Sequence, residues 1–195
     1  GLHDVDLAAQ AGRCGVGQRG LAHSGLAHQP RVHRHVGFVH HQPRSQQLAE
    51  DFILGTADGF SRLNDNIRVV VEGAEFADYF WPAMEQLIEV SHEYYRTNGQ
   101  FTPNLVIRLA SGGYIGGGLY HSQSLDATFL TIPGIRVVMP SFADDAIGLL
   151  RTAMRSPGFT VFLENKYLYN QYFAKSPRPS ATHTVRFGRA RVVRQ

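Results

Sequence analysis

Apolar residues in this 195-residue chain fall into short runs separated by stretches of helical spacing. Residues 67–71 (Ile-Arg-Val-Val-Val) are a β-branched run of the kind a buried strand requires. Pro82 opens a segment to residue 97 in which Met84, Leu87, Ile88, Tyr94 and Tyr95 share about one helical face, and proline suits a first helical position. Residues 105–109 form a second apolar run and lead into a glycine-rich loop, Ser111-Gly112-Gly113-Tyr114-Ile115-Gly116-Gly117-Gly118. Residues 121–130 read as helical, and residues 135–139 as a third strand that Pro140-Ser141 breaks. Ser141 and Asp144 have the spacing of a capping box ahead of a helix over 143–154, with Ile147, Leu150 and Met154 on one face. Residues 160–163 are a fourth strand.

Strands that are apolar throughout and alternate with helices predict an α/β fold: a mostly parallel sheet with helices on both faces. Right-handed crossovers place the strand C-termini and the loops after them on one edge, where such sheets bind ligands. The glycine-rich loop falls on that edge, as do residues 72–79. The Ser-Pro-Arg-Pro-Ser stretch at 176–180 reads as a linker. Residues 191–194 are strand-like with nothing after them to pair with, so the chain reads as cut short.

Composition changes the picture at the N-terminus. Seven of the ten histidines (His3, His23, His28, His33, His35, His40, His41) and five arginines lie in residues 1–47, against two acids, Asp4 and Asp6. No helical or alternating apolar period persists over residues 11–47. His33, His35, His40 and His41 could supply imidazoles to a metal, but no Cys-x-x-Cys or His-Glu-x-x-His context fixes a geometry. The stretch is too poor in lysine and aromatics for a nucleic-acid arm, and it lacks a signal peptide's apolar core. Its plainest reading is a segment not selected for folding, with translation from a wrong frame or start as one source. The expected organisation is an atypical segment at 1–47, a folded domain at 48–175 and a linker at 176–195. Cys14 alone excludes an internal disulfide framework, and no apolar stretch approaches the ~20 residues of a membrane span.

The glycine-rich loop lacks the Gly-Lys-Ser/Thr ending of a P-loop and does not match a dinucleotide fingerprint. Its glycines permit positive φ and close backbone approach. It leads into Leu119-Tyr120-His121-Ser122-Gln123-Ser124. A lone histidine is more often structural than catalytic. One that follows a flexible loop on the ligand edge is equipped for proton transfer near neutral pH.

Five ordered segments carry a family resemblance: Phe76-Ala77-Asp78-Tyr79-Phe80-Trp81-Pro82-Ala83-Met84-Glu85-Gln86, Val106-Ile107-Arg108, Tyr120-His121-Ser122-Gln123-Ser124, Pro133-Gly134-Ile135-Arg136-Val137-Val138-Met139-Pro140-Ser141 and Phe162-Leu163-Glu164-Asn165-Lys166. Together they resemble the beta subunit, with its transketolase-like pyrimidine-binding domain, of the thiamine-diphosphate-dependent decarboxylase of 2-oxoacid dehydrogenase complexes, pyruvate and branched-chain types. The resemblance spans about residues 48–195 and excludes residues 1–47.

The resemblance implies an activity and a division of labour. The activity is thiamine-diphosphate-dependent oxidative decarboxylation of a 2-oxoacid, with acyl transfer to lipoyl groups of a partner acyltransferase. Leu48-Ala49-Glu50, 22 residues before Glu72, matches the family's glutamate motif, so Glu50 takes the catalytic carboxyl that hydrogen-bonds the cofactor's aminopyrimidine ring. Its plainer reading is a first-turn acid favoured by a helix dipole. Tyr79 matches the aromatic residue packed on the pyrimidine, and His121 a catalytic histidine at the substrate channel that assists acyl transfer. Glu164 and Lys166 match a Glu-x-Lys pair read as structural, with Asn165 in place of the usual proline. Arg108 and Arg136 are expected in ion pairs. Glu72, Glu75 and Asp78 have a plain alternative as solvated or capping acids, preferred for Glu75.

Diphosphate and Mg2+ belong, on this resemblance, to an alpha subunit or the alpha half of a fused chain, and this chain supplies no metal ligand. The implied assembly is a cytoplasmic heterotetramer or dimer without nucleic-acid or membrane contacts. The chain alone is then an inactive half-site, with Phe80, Trp81 and Tyr95 expected at the missing contacts. The competing readings are a non-catalytic fragment with a His-rich metal-binding arm, and a transketolase-type enzyme, which the Tyr120-to-Ser124 stretch disfavours.

Overall fold

Side chains alternate across a strand, so Val69 and Val71 point to one face of a sheet and Val70 to the other; all three are buried. That is why residues 67–71 carry no polar alternation: both faces are covered. The computed structural model describes residues 35–40, 50–73 and 76–193, the first of these segments by its backbone alone. Five strands, β1 (His35–His40), β2 (Ile67–Glu72), β3 (Asn104–Ser111), β4 (Ile135–Val138) and β5 (Gly158–Asn165), form one parallel sheet in the order β1-β2-β3-β5-β4. The helices are α1 (Glu50–Ser61), α2 (Met84–Arg96), α3 (Asp126–Leu130) and α4 (Ala143–Arg155).

On one face, Val69, Val71, Leu105, Ile107, Val161 and Leu163 pack against Ile53 and Leu54 of α1, Leu87 and Val90 of α2, and Phe129 of α3. On the other, Val70, Val106, Val138 and Phe162 pack against Leu149, Leu150, Ala153 and Met154 of α4, with Phe187 of the C-terminal segment alongside. The α/β fold with helices on both faces is thus as the sequence predicts. Full burial of a side chain such as Phe162 contributes about 1.5–3 kcal/mol.

Several local expectations change. Strand β1 lies inside the segment read as lacking pattern. Its six residues, His-Val-Gly-Phe-Val-His, pair in parallel with β2 from His35↔Ile67 to His40↔Glu72. Pairing with an apolar neighbour, rather than local period, makes this strand. In α2 the buried line is Leu87, Val90, Ser91 and Glu93, whereas Ile88, Tyr94 and Tyr95 are exposed. The helix expected at 121–130 shortens to α3, preceded by a 3-10 turn at Leu119–His121. The capping box does not form: Phe142 is the N-cap of α4, without a side-chain cap. Asp144 instead accepts from Ser176 Oγ (2.8 Å) and Arg191 (2.8 Å). Arg191 therefore ties the tail to α4, and the strand read at 191–194 does not form at 191–193. Cys14, His33, His41, Leu48, Ala49, Glu75 and Arg194 lie outside the described residues.

Candidate active site

Parallel strands deliver the loops after β2, β3 and β5 to one edge of the sheet, and these three loops meet. The chain leaving β2 turns through two 3-10 segments, Ala77–Tyr79 and Trp81–Ala83. Ala77, Phe80 and Ala83 are buried there as anchors, which leaves Tyr79 half-buried beside the loop that follows β3. That second loop is closed at its base, where the Gly112 N–H donates to the Gln123 carbonyl at 3.0 Å. Between these ends, Gly116 and Gly118 take φ of +75° and +73°, values that disfavour residues bearing a Cβ. A Cβ on Gly117 would lie 2.7 Å from the His121 ring, so glycine lets the imidazole rest on the backbone.

His121 Nδ1 lies 2.8 Å from the Gly117 carbonyl, and Nε2 lies 2.6 Å from Tyr79 Oη. A carbonyl only accepts, so Nδ1 carries the proton. In the neutral ring Nε2 then accepts from the Tyr79 hydroxyl. The backbone thus selects the tautomer and aims Nε2 at the phenol. Phe76 meets the His121 ring edge-on at 5.2 Å, and Tyr120 meets Tyr79 likewise at 5.1 Å.

Lys166 leaves the end of β5 and enters this cluster from below. Its Nζ donates to the His121 carbonyl at 2.7 Å, lies 3.7 Å from Asp78 Oδ2, and sits 3.9 Å from the centroid of the Phe76 ring. Asp78 Oδ1 accepts from the Gln123 N–H at 2.7 Å. Trp81 Nε1 donates to the Gln123 side chain at 3.2 Å. Burial pushes the Lys166 ammonium below its ordinary pKa, against the opposing pull of the Asp78 carboxylate.

Beside this cluster, Arg108 on β3 pairs with Glu164 on β5 at 2.7 Å and lies 4.0 Å from Glu72 on β2. The Tyr169 hydroxyl donates to Glu164 at 2.8 Å. Burial first, then the Glu164 charge, push the Tyr169 phenol up. Glu164 and Tyr169 also line a cavity of about 530 Å³ between the start of α4 and the 3-10 turns after β5.

Of the expected site residues, Tyr79 and His121 are in direct contact. Glu50 is the first residue of α1, buried, at the helix end that follows β1 and so on the same edge. Arg108 makes the expected ion pairs. Arg136 instead donates to Thr160 Oγ1 at 3.0 Å and to the Pro157 carbonyl, and stacks over Phe187. Phe80 is core rather than an exposed contact residue, while Trp81 and Tyr95 are 45% and 68% exposed. Asp78 is neither solvated nor a cap but wholly buried. Sequence reasoning assigned Asp78 and Lys166 no part beside His121; the available signal was a lysine closing the apolar run of β5. Among the described residues, no group of three or more His, Cys, Asp or Glu could hold a metal, and no helix is long and apolar enough to cross a membrane.

The 2-oxoisovalerate dehydrogenase subunit beta of Bacillus subtilis is 37% identical over 149 residues, covering 76% of this chain and 44% of its own length. The protein of the same name from Pseudomonas aeruginosa is 42% identical over 127 residues, 65% of this chain and 35% of its own length. The pyruvate dehydrogenase E1 component subunit beta of Acholeplasma laidlawii is 35% identical over 149 residues, with shares of 76% and 44%. The chain therefore spans less than half the length of these relatives. Among solved structures, a split-gene transketolase described as an inactive beta4 tetramer superposes with a TM-score of 0.50 at 19% identity, covering 73% of this chain and 41% of that one, a likeness of fold alone. The family model for the transketolase pyrimidine-binding domain matches residues 44–171, nearly all of the sheet and its helices, and the chain belongs to that family.

Proposed function

We propose that this chain is the pyrimidine-binding part of a thiamine-diphosphate-dependent 2-oxoacid dehydrogenase. In this reading it takes part in oxidative decarboxylation of a 2-oxoacid and acyl transfer to lipoyl groups. The observation that carries the reading is the Tyr79–His121 hydrogen bond on the sheet edge where the β2 and β3 loops meet. The beta-subunit names of its relatives support the same assignment.

The residues present fit the cofactor's aminopyrimidine. A carboxyl buried at the start of α1 suits a ring nitrogen shielded from water, and a half-buried tyrosine offers an aromatic surface. When bound, thiamine diphosphate supplies the electron sink for loss of carbon dioxide. Glu50 would hold the ring nitrogen through its buried carboxyl. Tyr79 would offer its aromatic face to the ring, and its hydroxyl keeps Nε2 of His121 oriented. His121, with Nδ1 fixed on the Gly117 carbonyl, would present Nε2 as the proton-transfer group for acyl transfer to the lipoyl arm. Diphosphate and Mg2+ fall to an alpha partner or the alpha half of a fused chain, in a cytoplasmic assembly. The pyrimidine-binding unit is residues 48–175 with β1 added at its edge, and the segment after it lies against α4 through Phe187 and Arg191.

Mixing the chain with its cognate alpha partner and measuring 2-oxoacid decarboxylation and lipoyl acylation tests this. Activity that Glu50→Gln lowers at least a hundredfold is the expected result. The absence of both association and activity would refute it.

A further inference from the structure

Three loops are fastened behind His121 by one buried ion pair. Lys166 grips the backbone before Ser122, at the His121 carbonyl, and Asp78 grips it after, at the Gln123 N–H; both bonds are 2.7 Å. The two charged heads lie 3.7 Å apart, with side chains 2% and 0% exposed. The Phe76 ring covers the ammonium on one side and meets the His121 imidazole on the other. Buried ion pairs are poor sources of net stability, because desolvation offsets their attraction, and apolar replacements of similar volume are often neutral. What this pair supplies that an apolar pair cannot is a donor and an acceptor, directed at two backbone groups that bracket one residue.

We propose that Asp78 and Lys166 are positioning residues for His121: by clamping the backbone at 121–123 they hold Nε2 at the Tyr79 hydroxyl. The proposal deepens the functional reading above and rests on His121 serving acyl transfer. A displacement of about 1 Å at such a group costs up to about a hundredfold in rate.

Two measurements on the full chain test it. In the unaltered protein, hydrogen exchange at the Gln123 amide is expected to be at least a hundredfold slower, after correction for intrinsic rates, than at the Ser124 amide. Equal protection overturns the clamp. The second uses Asp78→Asn/Lys166→Met, which leaves no buried charge unpaired, with Lys166→Arg as the conservative variant and His121→Gln to assign signals. Ring-nitrogen NMR is expected to show a single Nδ1–H tautomer of His121 in the unaltered protein, an averaged ring in the double variant, and the single tautomer again in Lys166→Arg. With the alpha partner, the double variant is expected to lose at least tenfold in kcat for lipoyl acylation, with KM for the 2-oxoacid within twofold. A folded double variant that keeps the unaltered tautomer overturns the proposal; if that variant does not fold, the exchange measurement decides. Loss of the tautomer in a chain with no dehydrogenase activity would support the clamp and sink the functional reading, so the two failures are distinct.

Discussion

Gly134 lies where the chain turns from α3 into β4, with φ +86°. A Cβ there would stand 2.5 Å from the Ser91 carbonyl oxygen, a backbone atom of α2 that cannot swing aside as a side-chain tip could. Gly134→Ala therefore incurs two costs. Left-handed backbone in a residue with a Cβ costs about 1–2 kcal/mol. Forcing α2 away from the β4 entry costs about 1–3 kcal/mol, the range for overpacking. The stiffer unfolded chain returns about 0.4–1 kcal/mol. The net loss is about 1–5 kcal/mol, a large share of the ~5–15 kcal/mol that holds a domain together. Gly116→Ala is the control: its φ is +75° with nothing within 4 Å of the added methyl, so only the backbone cost applies, about 1 kcal/mol after the same return. Urea unfolding of both variants, at m-values of about 1–3 kcal/mol/M, should separate their midpoints by roughly 1 M. Equal midpoints would show that the α2 backbone yields at no cost, and the close approach of the Ser91 carbonyl to Gly134 would be wrong.

Three other outcomes follow from the same structure. Tyr79→Phe removes the hydroxyl that His121 Nε2 faces; at about 0.5–1.5 kcal/mol for a neutral hydrogen bond, it should lower lipoyl acylation about 2–12-fold, and an unchanged rate contradicts that role. The Arg191 guanidinium first, then Ser176, hold the Asp144 carboxyl at about 2, below its ordinary 3.8. A depressed pKa stabilises the fold above the unfolded value and ceases to as pH falls through the folded one. Between about pH 4 and pH 2 the tail should thus leave α4, seen as faster acid-protease cleavage after residue 180, and Asp144→Asn should abolish that dependence. Burial first, then the Glu164 charge and hydrogen bond, raise the Tyr169 phenol, so Glu164→Gln should move that tyrosine's titration in absorbance downward while burial still holds it above an ordinary phenol's; an unmoved titration contradicts the Tyr169–Glu164 bond.

The central strands were legible because their physics is local to them. β2, β3 and β5 are covered on both faces, and such strands announce themselves as near-continuous apolar runs. β1 was not legible: a glycine and two histidines in six residues give no period, and the information resides in its neighbour β2. In α2, residues 84, 87 and 88 suggested a face that the structure rotates toward Val90 and Ser91, since the sheet and α1 decide which side is covered. His121 and Tyr79 were found through family resemblance and meet in space. The contact between Lys166 and Asp78 was out of reach. It joins residues 88 positions apart on two loops, and nothing near either one names the other.

The sheet buries acids at both ends, and the difference between the ends separates stability from function. At the strand N-terminal end, Asp58 of α1 and Glu93 of α2 are buried, and Arg62, itself about half exposed, reaches in to pair with both. Burial raises the Asp58 pKa even against Arg62, so this carboxyl is held at a cost that its bridge to α2 offsets. Such a staple fixes two helices, and water reaches its cation. At the opposite end, the partner of Asp78 is a lysine as buried as itself, which spends its remaining donors on a loop carbonyl rather than on a second acid. Water cannot substitute for either head there, so a lost partner displaces the loop instead of being solvated. Removing Arg62 should loosen α1 against α2 and leave the Tyr79–His121 bond in place, whereas removing Lys166 should do the reverse. A cluster selected only to hold the fold together would show no such division.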